Sequence, residues 1–167
     1  MGRVLVKELD KIIQNDIISA RKLTGHAIAQ LIILTFDFDS LDTGVTKEVG
    51  YFDDNNGVFI RGVGSTLSFV MRSNTTGSPV DTMEVAQSSW NVDKFDGTGV
   101  SGVTLDFTKT QLFFMDLEWL GVGRVRYGFY HNGLPLYAHY MQHSNIFSSV
   151  YMSTPNLPVR YSIENDG

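Results

Sequence analysis

The 167-residue sequence has no cysteine and only four prolines. Without cysteine, disulfides and thiolate metal centres are excluded, a composition that fits assembly in a reducing cytosol. It also lacks a basic cluster. The thirteen Lys and Arg residues are scattered, with no run longer than two, and the formal charge is −5. Phosphate backbones demand a clustered positive field, so no nucleic-acid partner is expected. Long apolar runs are missing too. The most apolar segment, AIAQLIILTF (27–36), is too short to span a bilayer, and MGRVLVKELDKIIQ has no apolar core of the secretory kind. These absences predict a soluble chain with no membrane insertion. There is no Ser-His-Asp set, P-loop or Rossmann fingerprint. The glycines of GVGSTL (62–67) and GVGRV (121–125) precede no helix, so no cofactor is expected.

What is present is glycine, sixteen of them, and short apolar runs punctuated by Gly, Asn and Asp. That rhythm belongs to an all-β domain. Hydrophobic content of 43% and charged content of 19% suit a globular chain, and this length suits one domain. Strands are predicted near 27–38, 47–53, 57–62, 66–72, 81–87, 112–119, 123–131, 134–141 and 157–163. Asn56-Gly57 and Asn132-Gly133 each carry the strongest short-range hairpin signal, a type I′ turn with positive φ at both central residues. Residues 1–20 read as a short helix or irregular arm, and 21–167 as the β-sandwich domain. The turn-rich stretch 91–110 is long enough to imply a role in binding, packing or contacting a neighbour.

Alternation on 112–119 sets Phe113, Met115, Leu117 and Trp119 on one face and Phe114, Asp116 and Glu118 on the other. Folding about Gly121 brings Glu118 opposite Arg124 and Asp116 opposite Arg126. In the same register Leu117 meets Val125, Met115 meets Tyr127 and Phe113 meets Phe129. An apolar ladder on one face and a charge ladder on the other specify the register twice. A second pivot at Asn132-Gly133 sets Phe129 against Leu136, Tyr127 against Ala138 and Val125 against Tyr140, with His139 beside Arg126 on the polar face.

The rival reading of Asp116 and Glu118 is a glycosidase acid pair. The β-sandwich laminarinase-like hydrolases carry E-x-D-x-E or E-x-D-x-x-E, and here the nucleophile position is Phe114. Carboxyl groups in a retaining site lie about 5–5.5 Å apart, against about 6.6 Å for i and i+2 on a strand. The spacing is tolerable, but the inventory is incomplete, so no catalytic residue is expected. His139 and His143 have a helical metal spacing, but on a strand they lie about 13 Å apart. His26 and His131 read as solvated turn residues. Asp53, Asp54, Asn55 and Asn56 form one oxygen-rich tip and Asp93 with Asp96 another. Neither has an EF-hand spacing, so no metal is expected. Trp90, with Asn91, has two readings, a sugar-stacking platform and half-buried core.

GYFDDNNGVF (50–59), SSWNVDKFDGTGVSGVTLDFTKTQLFFMDLEWLGVGRVRYGF (88–129) and VYMSTPNLPVRYSIENDG (150–167) resemble β-sandwich virion structural proteins. These occur chiefly in tailed bacteriophages, especially marine ones, and sometimes in large DNA viruses. TGHAIAQLIILTFDF (24–38) resembles the family's entry strand without its aromatic-Pro-Gly lead-in, and residues 1–20 match nothing in it. The resemblance implies a two-sheet antiparallel, concanavalin-like or jelly-roll sandwich, localised in the virion, with no enzymatic activity and other virion proteins as partners. The alternative function is a glycan-binding, receptor-recognising module at a fibre or tail tip, which would expose Trp90, Asn91 and Tyr51. In the family, further chain follows the position of SIENDG (162–167). If no chain follows that point here, the strand 157–163 is expected to present an edge that Arg160 and Glu164 protect only modestly. An N-terminal arm offering Val4, Leu5, Val6, Ile12 and Ile13 would cover it or reach a neighbour. A homo-oligomer is expected, a trimer if the chain belongs to a fibre.

Overall fold

The computed structural model describes residues 29–39, 41–118 and 122–166. Within them every predicted strand forms: β1 (Ala29–Phe36), β2 (Val45–Phe52), β3 (Gly57–Val63), β4 (Thr66–Ser73), β5 (Val80–Ala86), β6 (Gln111–Glu118), β7 (Val125–His131), β8 (Leu134–Met141) and β9 (Val159–Asn165). They build two antiparallel sheets, ordered β1-β6-β7-β8 and β5-β4-β3-β2-β9. The fold is therefore an all-β, two-sheet sandwich. The expected N-terminal arm, His26, Trp119 and the turn at Gly121 lie outside the described residues.

Alternation explains why the sheets stack. On β4, Leu67, Phe69 and Met71 point inward, while on β6 Phe113, Met115 and Leu117 do the same, and all are buried. Phe69 lies at the centre, stacked on Tyr127 across the sandwich at 4.4 Å and on Trp90 at 4.1 Å. Tyr127 buries its hydroxyl as well, and that hydroxyl donates to the Val70 carbonyl at 3.2 Å. Burial holds the phenol pKa well above its ordinary value, so the group stays a neutral donor.

Each sheet is a local meander completed by a strand from the far end of the chain. β6, β7 and β8 follow one another and recruit β1, and β2 to β5 follow one another and recruit β9. Two crossing segments close opposite ends of the sandwich. Residues 87–110 leave β5 by a 3-10 turn, dock on β8 and run towards β1, where Phe38 N–H reaches the Phe107 carbonyl at 3.0 Å. Residues 142–158 pass the other end, beside the β2–β3 turn and the end of β6.

The β6–β7 register agrees with the sequence expectation, pairing Leu117 with Val125, Asp116 with Arg126, Met115 with Tyr127 and Phe113 with Phe129. The β7–β8 register departs from it. Phe129 meets Leu136 as expected, but a bulge makes Tyr127 face His139 and Val125 face Met141. The extra residue is Ala138. Its carbonyl accepts N–H bonds from Val92 and Asp93, at 3.1 and 3.0 Å. Beyond the bulge the facing reverses, so His139 is buried and does not lie beside Arg126, while Tyr140 takes that place.

The two Asn-Gly turns also differ. Asn132 and Gly133 have φ of 50° and 79°, the positive pair the hairpin signal requires. At the other site the chain turns through 53–56, held by Asn55 and Asn56 N–H bonds to Asp53 Oδ1, both at 2.7 Å. Gly57 opens β3 opposite Phe52, and a Cβ there would come within 2.1 Å of the Phe52 Cβ. Its lack of a side chain serves close strand approach, not a type I′ turn.

Candidate functional site

Three places carry the polar and aromatic groups from which function can be argued. The first is the outer face of the four-stranded sheet. Arg126 Nε donates to Asp116 Oδ1 at 2.6 Å, and Tyr137 donates its hydroxyl to Oδ2 at 2.9 Å. Arg124 meets Glu118 twice, Nε to Oε1 at 3.1 Å and backbone N–H to Oε2 at 3.3 Å. Every oxygen of the two carboxylates thus accepts a hydrogen bond from the chain itself. The hydrogen bond to Asp116 raises the Arg126 pKa despite burial. Burial, then the Asp116 bond, raises that of Tyr137. The guanidinium of Arg126 lies over the Tyr137 ring at 4.9 Å and that of Arg124 over Tyr140 at 5.7 Å. Phe114, at the missing-nucleophile position, is buried beneath Tyr130 and Tyr137, each 5.2 Å away.

The second is a groove of about 290 Å³ on the outer face of the five-stranded sheet, bordered by Glu48, Asp54, Arg61, Arg72, Arg160 and Glu164. Arg61 reaches Glu48 at 2.8 Å, Asp81 at 2.7 Å and Glu84 at 2.9 Å. Arg72 grips the other Asp81 oxygen at 2.7 Å, and Arg160 pairs with Asp54. Burial opposes ionisation of both Arg61 and Asp81. Their mutual hydrogen bonds, with those from Arg72 and to Glu48, outweigh it, raising Arg61 and lowering Asp81. Beneath the charges lies a separate small core of Phe52, Phe59 and Val70. Arg61 and Arg72 cover Phe59 at 5.3 and 5.1 Å, and Arg160 covers Phe52 at 5.3 Å. Sequence reasoning missed this network, although the signal was there. Cross-strand arithmetic on β2 and β3 places Glu48 opposite Arg61, as the structure does. With all three guanidinium nitrogens of Arg61, and Nε and Nη2 of Arg72, donating to carboxylates, the groove braces the sheet.

The third is the Trp90–Asn91 step. Trp90 is 3% exposed, and its indole N–H donates to the Val85 carbonyl at 3.2 Å. The core reading of this ring is the one that holds, and neither ring face is open to a sugar. Tyr51, 5% exposed, is likewise no platform. Its hydroxyl donates to the Pro155 carbonyl at 2.6 Å and accepts the Leu157 N–H at 3.0 Å, pinning the 142–158 crossing to β2. Asn91 is exposed, but its amide is committed. It accepts the Tyr140 N–H and donates to the Tyr140 carbonyl, both at 2.9 Å, copying one rung of a strand ladder along the edge of β8. The Asn91 N–H also donates to His139 Nδ1 at 3.1 Å. An imidazole that accepts at Nδ1 carries its proton on Nε2, and burial lowers the pKa of His139 to about 4.

The oxygen-rich tips serve the backbone. Asp93 is buried, with Oδ1 accepting the Phe95 N–H at 2.8 Å and Oδ2 the Ser101 N–H at 2.7 Å. Asp96 caps Thr98 at 2.9 Å. Among the described residues no group of three or more His, Asp or Glu side chains is placed to hold a metal ion. None of their helices is long and apolar enough to cross a membrane. No family model, curated protein or solved structure matches the chain.

Proposed function

We propose that the chain is a non-enzymatic structural module of a virus particle, a tail, fibre or capsid-decorating β-sandwich that contacts itself or neighbouring virion proteins. The family resemblance of the motifs quoted above supplies the viral part of the reading. The observation that carries the structural part is that the candidate chemistry is spent on the fold. All four oxygens of Asp116 and Glu118 accept internal hydrogen bonds, so neither carboxylate is presented as an acid or nucleophile. The glycan-binding alternative loses the platform nominated for it, because Trp90 and Tyr51 are both core residues.

The test is direct. Particles banded from the source lysate and digested for mass spectrometry are expected to yield peptides of this chain in proportion to the major structural proteins. A cryo-EM map is expected to place the sandwich at a protein–protein contact. Absence from purified particles overturns the viral assignment. Saturable, micromolar binding of the isolated protein on a glycan array would move the function to receptor recognition.

A further inference from the structure

Between Arg126 and Arg160 the sequence carries no Asp, Glu, Lys or Arg. The groups of that run able to gain a charge near neutral pH are therefore His131, His139 and His143. His131 is exposed, and His139 is engaged by the Asn91 N–H. His143 is only 3% exposed, and its Nδ1 has no hydrogen-bond partner. Buried polar atoms are ordinarily paired.

Packing and backbone hold this bare atom in place. The imidazole lies against the Phe147 ring at 5.0 Å and meets Tyr151 edge-on at 5.5 Å. Its own carbonyl accepts the Ile146 and Phe147 N–H groups at 3.1 and 3.2 Å, and Asn145 turns the chain with φ of 62°. The result is a hook, 142–150, rooted on one buried histidine. Residues 144–150 are all exposed, Ile146 by 60% and Phe147 by 50%. Both ends of the hook are fixed. β8 stops at the buried Met141, and the Tyr151 hydroxyl donates to the Glu118 carbonyl at 3.1 Å. Beyond it Asn56 Oδ1 accepts the Ser153 N–H at 3.0 Å.

This root suits a neutral ring. With Nδ1 bare, the single proton sits on Nε2, and a second would have to enter at Nδ1, where it finds no acceptor. The ionisable groups at this end of the sandwich are committed elsewhere. Glu118 takes Arg124, Asp53 takes the Asn55 and Asn56 N–H groups, and Asp54 takes Arg160. Burial, then Glu118, holds the Tyr151 phenol above its ordinary value and so neutral. None of them favours an imidazolium, and burial alone moves the His143 pKa, downward.

We infer that His143 is an acid-released latch: protonation expels its ring and frees residues 142–150, while β8 and the 151–158 crossing stay docked. Release gives the imidazolium water and separates Ile146 and Phe147 from the His143 carbonyl. In the open hook His143 titrates near its ordinary 6.5, and in the closed hook lower. The ratio of open to closed then rises about tenfold for each pH unit between those two values. The latch does not depend on the viral reading.

No native cysteine competes with a label, so Ser148→Cys, exposed on the hook, can carry a nitroxide on the full chain. Its paramagnetic resonance spectrum is followed from about pH 8 to about pH 5, on either side of the ordinary histidine value. The mobile fraction is expected to grow on acidification. Corrected for intrinsic rate, exchange is expected to quicken at the Ile146 and Phe147 amides and stay slow at that of Ser153. His143→Phe keeps an aromatic ring without the proton, and His143→Gln keeps a polar group that does not titrate. In both, the mobile fraction is expected to be independent of pH. A label whose mobility never changes, or changes equally in both variants, would overturn the latch. Protection lost at Ser153 together with the hook would place the effect in the whole sandwich and overturn it as well.

Discussion

His139 is a residue through which acid is expected to destabilise the sandwich. Its Nδ1 accepts the Asn91 N–H, which only the neutral ring can do, and burial lowers its pKa from 6.5 to about 4. An unfolded chain takes up a proton as pH falls through its ordinary value, while the folded chain refuses it until near the lowered one. The stability from the neutral ring is complete above the unfolded value and is lost progressively on acidification towards the folded one. Urea unfolding is expected to give a free energy about 2 kcal/mol lower at pH 5 than at pH 7. His139→Gln is expected to flatten that difference, leaving the part due to His143, which burial lowers in the same direction. An unchanged difference would remove His139 from the account. Tyr51 makes a second case at this scale. Tyr51→Phe leaves the Pro155 carbonyl and the buried Leu157 N–H without their partner and is expected to cost about 1–3 kcal/mol in the same assay.

Among the elements, β6 and β7 were legible and β8 was not, for a physical reason. Between β6 and β7 the apolar and charged ladders agree on one register, and both are encoded within seventeen contiguous residues, 113–129. The bulge in β8 is encoded elsewhere. Ala138 slips out of the ladder because Val92 and Asp93 reach its carbonyl, and Asn91 clamps Tyr140, contacts between segments more than forty residues apart. No local pattern in LPLYAHYM reports them. The candidate platform was misplaced for a related reason, since the 3-10 turn at Gln87–Ser89 is what carries Trp90 inward onto Phe69. Asn91→Ala is expected to cost about 1–2 kcal/mol and to raise hydrogen exchange at the Tyr140 amide, leaving β6–β7 amides unchanged. Slow exchange at Tyr140 in that variant would mean the amide clamp does not guard the edge.

At the scale of the whole molecule, both sheets turn an arginine-covered aromatic surface outward, and the paired carboxylates Asp116 and Glu118 are committed to hydrogen bonds within the chain. Reducing-sugar release from laminarin or mixed-linkage glucan is therefore expected to stay at background. Turnover abolished by Glu118→Gln would overturn the non-enzymatic reading. The topology also has a kinetic consequence. The two meanders pair strands that are neighbours in sequence, whereas β1 must find β6 across about half of the chain and β9 must find β2 across most of it. Loop-closure entropy disfavours such distant pairings early, so the barrier is expected to be crossed with the meanders formed and the outlying strands still loose. Ile32→Val, a cavity of about 1 kcal/mol buried in β1, is then expected to speed unfolding in a denaturant chevron and leave the refolding limb nearly in place. Folding of this sandwich would end, as its sheets do, with the strands drawn from either end of the described chain.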